Sequence, residues 1–294
     1  MTRCACIDIG SNTTRLLVAE PDDGRLREVL SERAFTLLGA AGATPCTVGQ
    51  GKIDEVAAVV ARQVRVAGEL GVASLRVVAT AAVRGALDRD ALAAAIDAAC
   101  GARLEILGSH DEARLAFHGA IGMLARCPPG PLGVVDVGGG STELVVGTRE
   151  GGVTWSVSLP LGSSGITRDE LLSDPPTPRE LARVREKIAR RFDAVGAPQP
   201  AVAYAVGGST TSMRRLMGTA LDREALELGL QALVTRPAAE VALRLGLHAE
   251  RARLLPAAIL LLDASSRALR APLQFAGGGL REGVVLEQLS ALGS

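Results

Sequence analysis

Two stretches decide the reading of this chain: IDIGSNTTRLLVA, Ile7 to Ala19, and VDVGGGSTELVVG, Val135 to Gly147. Aligned without a gap, Asp8 meets Asp136, Gly10 meets Gly138, Thr14 meets Thr142, Leu16 meets Leu144 and Val18 meets Val146, every pair 128 positions apart. A glycine turn, the acid before it and the β-rich arm after it all match, which points to two copies of one structural unit. In both copies the residues after the turn continue as a strand, so each stretch reads as a β-hairpin rather than the strand-to-helix turn of a dinucleotide fold. A Walker loop is excluded too: Gly51-Lys52 is followed by Ile53 and lacks the earlier glycine.

The remaining pattern repeats in the same order. Strand-like segments near 14–20 and 25–36 precede a helix at about 52–70, with apolar residues at Ile53, Val56, Val60, Val64 and Ala67. The strand 75–79, a helix over 88–99, the strand 104–107 and a helix over 111–124 complete the first half. The second half runs through strands 132–137, 143–149 and 152–159 to a helix over 178–194. Thr177, Pro178 and Glu180 mark its start with a capping box and a proline at the first helical position. Then follow strand 201–206, a helical region ending near Leu269, strand 273–276 and a last helix over 280–292. Pro256 inside the helical region is expected to kink or split it.

The order β-β-β-α-β-α-β-α, twice, predicts an α/β protein of two lobes, 1–118 and 119–294, each a mixed sheet with flanking helices. The last helix is a candidate to return to the first lobe. Ligands of open α/β sheets sit beyond strand ends, so the glycine loops are expected to meet in a cleft between the lobes.

Composition fits this frame. With 294 residues, 48% hydrophobic and 22% charged, the chain can build two cores, and aromatics at 2% leave them to Ala, Val and Leu. So few rings argue against a single-strand nucleic-acid platform, and zero net charge offers no global field for a polyanion. The longest apolar run, Leu254 to Leu262, is short of the ~20 residues of a membrane span. With no signal-peptide pattern before the first strand, the expected location is the cytoplasm. Cys4, Cys6, Cys46, Cys100 and Cys127 form no Cys-x-x-Cys pair and read as reduced core residues, and the three histidines lack metal-ligand spacing.

Four glycine segments stand at repeat-equivalent strand ends: GSNTT (Gly10 to Thr14), GGGST (Gly138 to Thr142), GGSTT (Gly207 to Thr211) and GGG (Gly277 to Gly279). Glycine permits positive φ and close approach, and successive N–H groups beside Ser and Thr hydroxyls suit phosphate oxygens. The candidate phosphate ligands are Gly10, Ser11, Asn12 and Thr13; Gly138, Gly139, Gly140, Ser141 and Thr142; and Gly207, Gly208, Ser209 and Thr210.

Both hairpins, together with VATAAVR (Val78 to Arg84), LGSHDEARLAFHGA (Leu107 to Ala120), VGGSTTSMRRL (Val206 to Leu216) and GGGLREGVVLE (Gly277 to Glu287), resemble the exopolyphosphatase and guanosine pentaphosphate phosphohydrolase family. That family belongs to the superfamily of actin-like ATPases and sugar kinases, with actin-like (ribonuclease H-like) lobes. The resemblance implies a hydrolase that removes terminal phosphate from inorganic polyphosphate or guanosine pentaphosphate, with Mg²⁺ or Mn²⁺. It also allows a homodimer.

By the same resemblance Glu112 is the catalytic glutamate that places the water; otherwise it is an acid complementing a helix dipole. Asp136 is the metal-linked aspartate, with Asp8 either a second metal ligand or a support of its own hairpin. Glu143 is a second catalytic acid that supports metal or water, or is an exposed strand residue. Arg84 neutralises phosphate charge, or is a solvated arginine after a strand. Asp111 is the cap or a first-turn acid of Glu112's helix. The chain departs from the family's pattern at LLGAAG (Leu37 to Gly42) and LGSSGIT (Leu161 to Thr167), and reaches Ser294 without the C-terminal helical domain of longer relatives. Short polyphosphate is therefore the expected substrate. A low-turnover polyphosphate- or nucleotide-binding regulator on the same frame is the alternative.

Overall fold

The computed structural model describes residues 2–38 and 47–293, so Cys46 and most of the glycine-alanine stretch before it lie outside the described residues. The chain forms two compact units, one drawn from 1–123 and 278–294 and the other from 124–277.

The first unit opens with β1 (Cys4–Ile9), β2 (Thr13–Asp22) and β3 (Arg25–Phe35), an antiparallel meander. Then come α1 (Gln50–Glu69), β4 (Ser74–Ala79), the one-turn α2 (Ala81–Arg84), α3 (Arg89–Cys100), β5 (Leu104–Ile106) and α4 (Ser109–Gly122). The sheet order is β3-β2-β1-β4-β5, with β4 and β5 parallel to β1. Strand β1 is buried on both faces, as its run of small and apolar residues requires. Ala5, Ile7 and Ile9 face a core with Ile53, Val56 and Val60 of α1 and Leu92 and Ile96 of α3. Cys4 and Cys6 face the other core, with Leu115 of α4 and Leu280, Val284 and Val285 of α11 (Leu280–Gly293). Burial pushes the Cys6 thiol up, so it stays protonated.

The second unit repeats the plan with β6 (Leu132–Val137), β7 (Thr142–Thr148), β8 (Gly152–Leu159), α5 (Ser163–Glu170), α6 (Pro178–Phe192) and β9 (Val202–Val206). After them come α7 (Gly207–Met217), β10 (Ala220–Leu221), α8 (Arg223–Val234), α9 (Ala238–Leu245), α10 (Ala249–Leu269) and β11 (Leu273–Phe275). Its sheet, β10-β11-β9-β6-β7-β8, is the first sheet's order with one short strand, β10, added at an edge. Both sheets are mixed, with β9 and β11 parallel to β6.

Of the kink or split expected at Pro256, the split does not occur: α10 runs unbroken through it. Its buried residues include Leu255, Pro256, Ala257, Ala258 and Ile259, and it packs against α5, α6, α7, α8 and α9. Apolar burial on so many sides outweighs the ~3 kcal/mol that an interior proline costs. Among the described residues no helix is long and apolar enough to cross a membrane.

The capping box at α6 forms as its sequence signature requires. Glu180 N–H donates to Thr177 Oγ1, and Glu180 Oε2 accepts from Thr177 N–H at 2.7 Å. Its Oε1 accepts from Leu172 and Ser173 N–H, both at 2.9 Å, so one carboxylate also closes the loop before the helix. These donors hold the Glu180 carboxyl at about 2, against an ordinary 4.5. A lowered carboxyl pKa contributes stability above the unfolded-state value that disappears as pH falls toward 2. Glu180→Gln is therefore expected to lower the melting temperature at neutral pH and to flatten its fall between pH 4.5 and 2. Parallel melting curves across that range check this; equal acid limbs would contradict it.

Candidate active site

The two hairpin turns are built alike. Gly10 N–H donates to Thr13 O at 3.0 Å, and Gly138 N–H donates to Ser141 O at 2.9 Å. Neither Gly10 nor Gly138 has a positive φ, so these glycines do not serve a left-handed turn. Room is tight at Gly138, where a Cβ would sit 3.2 Å from Ser141 O.

The copies diverge at the residue opposite the aspartate. Across β1 and β2, Asp8 pairs in register with Arg15, whose Nη2 donates to Asp8 Oδ2 at 2.9 Å. Both side chains are largely buried, so Asp8 is neutralised inside its own hairpin. Across β6 and β7, Asp136 pairs in register with Glu143, an acid facing an acid. Glu143 is 2% exposed and accepts from Ser158 Oγ at 2.7 Å. Two carboxylates at facing positions are oxygen donors of the kind that hard divalent ions take.

Gly207 adds to this corner. It follows β9 with φ +93°, and a Cβ built there would run into Asp136 Oδ1. The GGSTT segment is no loop: Gly207 to Thr211 form the first turn of α7. The hydroxyls of Thr210, Thr211 and Ser212 donate back to Val206 O, Gly207 O and Gly208 O at 2.8, 3.0 and 3.0 Å, one turn earlier. Ser209 accepts from Arg251 Nη1 at 3.4 Å, and Arg251, from α10, is 6% exposed. Nothing in the sequence distinguishes this buried arginine from its exposed neighbours.

The GGGST turn is tied down by LGSSGIT, a segment in which the chain departs from the family's pattern. Ser163 N–H and Oγ both donate to Gly138 O, at 3.0 and 3.1 Å, and Ser164 N–H donates to Gly139 O at 3.0 Å. Thr142 Oγ1 donates to Leu161 O at 2.6 Å, which makes this fully buried hydroxyl a structural tie. Ser141 is buried beside it. In the first unit Ser11 and Thr13 are likewise buried, and Asn12 O accepts from Thr36 and Leu37 N–H at 3.1 Å. The last glycine segment caps a helix, with Gly279 N–H donating to Glu282 Oε2 at 2.8 Å at the start of α11.

Glu112 stands in the first turn of α4, 8% exposed. Arg84, the last residue of α2, donates from Nη1 to Glu112 Oε2 at 2.7 Å and to Leu107 O at 2.8 Å. Arg84, expected to neutralise phosphate charge, here donates to the glutamate and so holds its carboxylate in one orientation. The cap of α4 is Gly108, which leaves Asp111 as a first-turn acid near Arg114. The structure thus brings together Arg84 with Glu112 in the first unit, and Asp136 with Glu143 and Gly207 in the second. Among the described residues no group of three or more His, Cys, Asp or Glu is placed to hold a metal.

The Ppx/GppA phosphatase family model matches residues 17–292. Exopolyphosphatase 1 of Mycobacterium leprae is 31% identical over 311 aligned positions, covering 98% of this chain and 90% of that protein. The Aquifex aeolicus Ppx/GppA crystal structure superposes with a TM-score of 0.84 at 27% identity, over 100% of this chain and 99% of that one. An exopolyphosphatase structure from Cytophaga hutchinsonii, 20% identical, shares the fold with a TM-score of 0.87, over 99% of this chain and 98% of that one. With a family model spanning nearly its whole length and a relative of this identity, the chain belongs to the Ppx/GppA phosphatase family.

Proposed function

We propose that this protein hydrolyses the terminal phosphoanhydride bond of inorganic polyphosphate, releasing orthophosphate, with short chains favoured. The observation that carries the reading is the GGGST turn, whose Gly138 and Gly139 carbonyls are both occupied, beside the facing acids Asp136 and Glu143. Relatives named exopolyphosphatase support the choice of substrate.

Hydrolysis needs an in-line water, a group to orient or deprotonate it, and neutralisation of phosphoryl charge. In this reading Glu112 takes the water's proton, and Arg84 fixes the carboxylate rotamer. The Gly139 and Gly140 amides bind non-bridging phosphate oxygens. Asp136 and Glu143 fit Mg²⁺ or Mn²⁺, hard cations that take one or two carboxylates and complete their shell with water and phosphate. When bound, such an ion would lower the charge on the scissile phosphate. Asp8, already paired with Arg15, serves its own hairpin rather than the ion.

Phosphate release from tripolyphosphate, from long polyphosphate and from guanosine pentaphosphate tests the proposal. Release from tripolyphosphate is expected to be fastest. Faster release from guanosine pentaphosphate would replace the substrate, and binding without release from any of the three would make the protein a regulator. Asp136→Ala is expected to raise the Mg²⁺ concentration needed for half-maximal rate about tenfold or more, the effect typical of losing a metal-supporting group. An unchanged Mg²⁺ titration would remove Asp136 from the metal site.

A further inference from the structure

Among the described residues, Gly162 has no room for a side chain: a Cβ there would overlap Gly139 O, Gly139 C and Gly140 N. This glycine is the N-cap of α5, with φ −120° and ψ 161°, extended backbone open to any residue, so close approach alone demands it. No side chain caps α5. Its first two N–H groups, from Ser163 and Ser164, instead donate to Gly138 O and Gly139 O. These are groups that every helix start must satisfy, and here the GGGST turn satisfies them.

Peptide geometry turns this contact into a direction. In a trans peptide the C=O and the N–H point opposite ways. Gly138 O points at α5, so the Gly139 N–H points away from it; Gly139 O points at α5, so the Gly140 N–H does too. Two successive amides are thereby aimed off the same side of the turn, and neither meets an acceptor among the described residues. The positive end of α5 also offsets the carbonyl dipoles it touches.

We propose that Gly162 and the first turn of α5 are positioning elements for substrate phosphate, acting through the Gly139 and Gly140 amides; this rests on the phosphate-binding reading of the turn. The nearby hydroxyl of Thr142 serves the same mount, holding Leu161 in place. It follows that the α5 N-terminus is not itself an anion site, because its leading amides are occupied.

The test compares three variants. Gly162→Ala forces the turn and α5 apart and is expected to raise KM for tripolyphosphate at least tenfold, with kcat changed less than threefold. Ser163→Pro deletes both Ser163 donors at a position where proline suits a helix start and extended Gly162 can precede it, and is expected to do the same. Ser163→Ala keeps the N–H bond and loses only the Oγ donor, and should raise KM less than Ser163→Pro does. Amide NMR of the wild-type protein titrated with tripolyphosphate reads the direction itself: Gly139 and Gly140 should shift, while Ser163 and Ser164 should not. An unchanged KM in both Gly162→Ala and a folded Ser163→Pro, or shifts at Ser163 and Ser164 instead, would overturn the positioning role. If no amide of wild type shifts and no phosphate is released, the phosphate reading itself has failed, which is a separate result.

Discussion

Glu112→Gln will cut kcat for phosphate release by about a thousandfold while leaving KM within threefold, the loss expected when a positioned general base is removed. Glutamine is nearly isosteric and keeps an oxygen for the Arg84 Nη1 donor, so the 2.7 Å contact can persist without the charge. The ordinary reading of an acid in a first helical turn makes a different forecast. There the carboxylate only complements the dipole of α4, and its loss costs on the order of 0.5 kcal/mol of stability and no activity. Steady-state kinetics and a melting curve on the same preparation separate the two. Wild-type kcat in Glu112→Gln would exclude the residue from the chemistry. Arg84→Lys sharpens the assignment: lysine keeps the charge but not the reach to both Glu112 and Leu107 O, so kcat should fall without a matching rise in KM. A rise in KM alone would return Arg84 to binding phosphate.

The duplicated plan was legible because its carriers are local: an acid, a glycine turn and a β-rich arm, repeated at constant spacing. The strands expected along each half all form, and the box at Thr177 and Glu180 formed as its residues demanded. What escaped the sequence is of another kind. The ties between α5 and the GGGST turn are backbone to backbone, and every residue but proline carries the same N–H and C=O. Arg84 reads as a free cation until the fold brings Glu112, 28 positions later, to its guanidinium. Pro256 does not split α10 because propensity is local and the packing around α10 is not. The opposition of Asp136 to Glu143, and of Asp8 to Arg15, follows from hairpin register; the quoted stretches contain it once a two-residue turn is assumed.

Gly119→Ala will destabilise the protein by about 2–3 kcal/mol, although alanine is the better helix former by ~1 kcal/mol. A Cβ at Gly119 of α4 would overlap Gly279 O, at the start of α11. Gly283 of α11 has its own missing Cβ against Leu115 O, and that of Gly278 against Gly119 O, so the two helices meet backbone on backbone. Glu287 of α11 then receives Arg114 at 2.6 Å and Arg76 at 2.7 Å, which fixes the same crossing farther along. Helix α4 carries Glu112 in its first turn, so the crossing that seats α4 also seats the proposed base. Relief of the overlap requires α4 to slide or lift, because its obstacle is backbone rather than the tip of a side chain. Gly122→Ala makes the internal control: its Cβ would meet Leu286 Cδ1, a side-chain end that can rotate away. Melting temperature should fall by roughly 4–12 °C in Gly119→Ala and much less in Gly122→Ala. The folded fraction of Gly119→Ala should also lose kcat, with KM little changed, since the glycine turn proposed to bind phosphate lies on other elements. Equal stability of the two variants would show that the crossing yields easily, and normal kcat in a destabilised Gly119→Ala would uncouple it from Glu112.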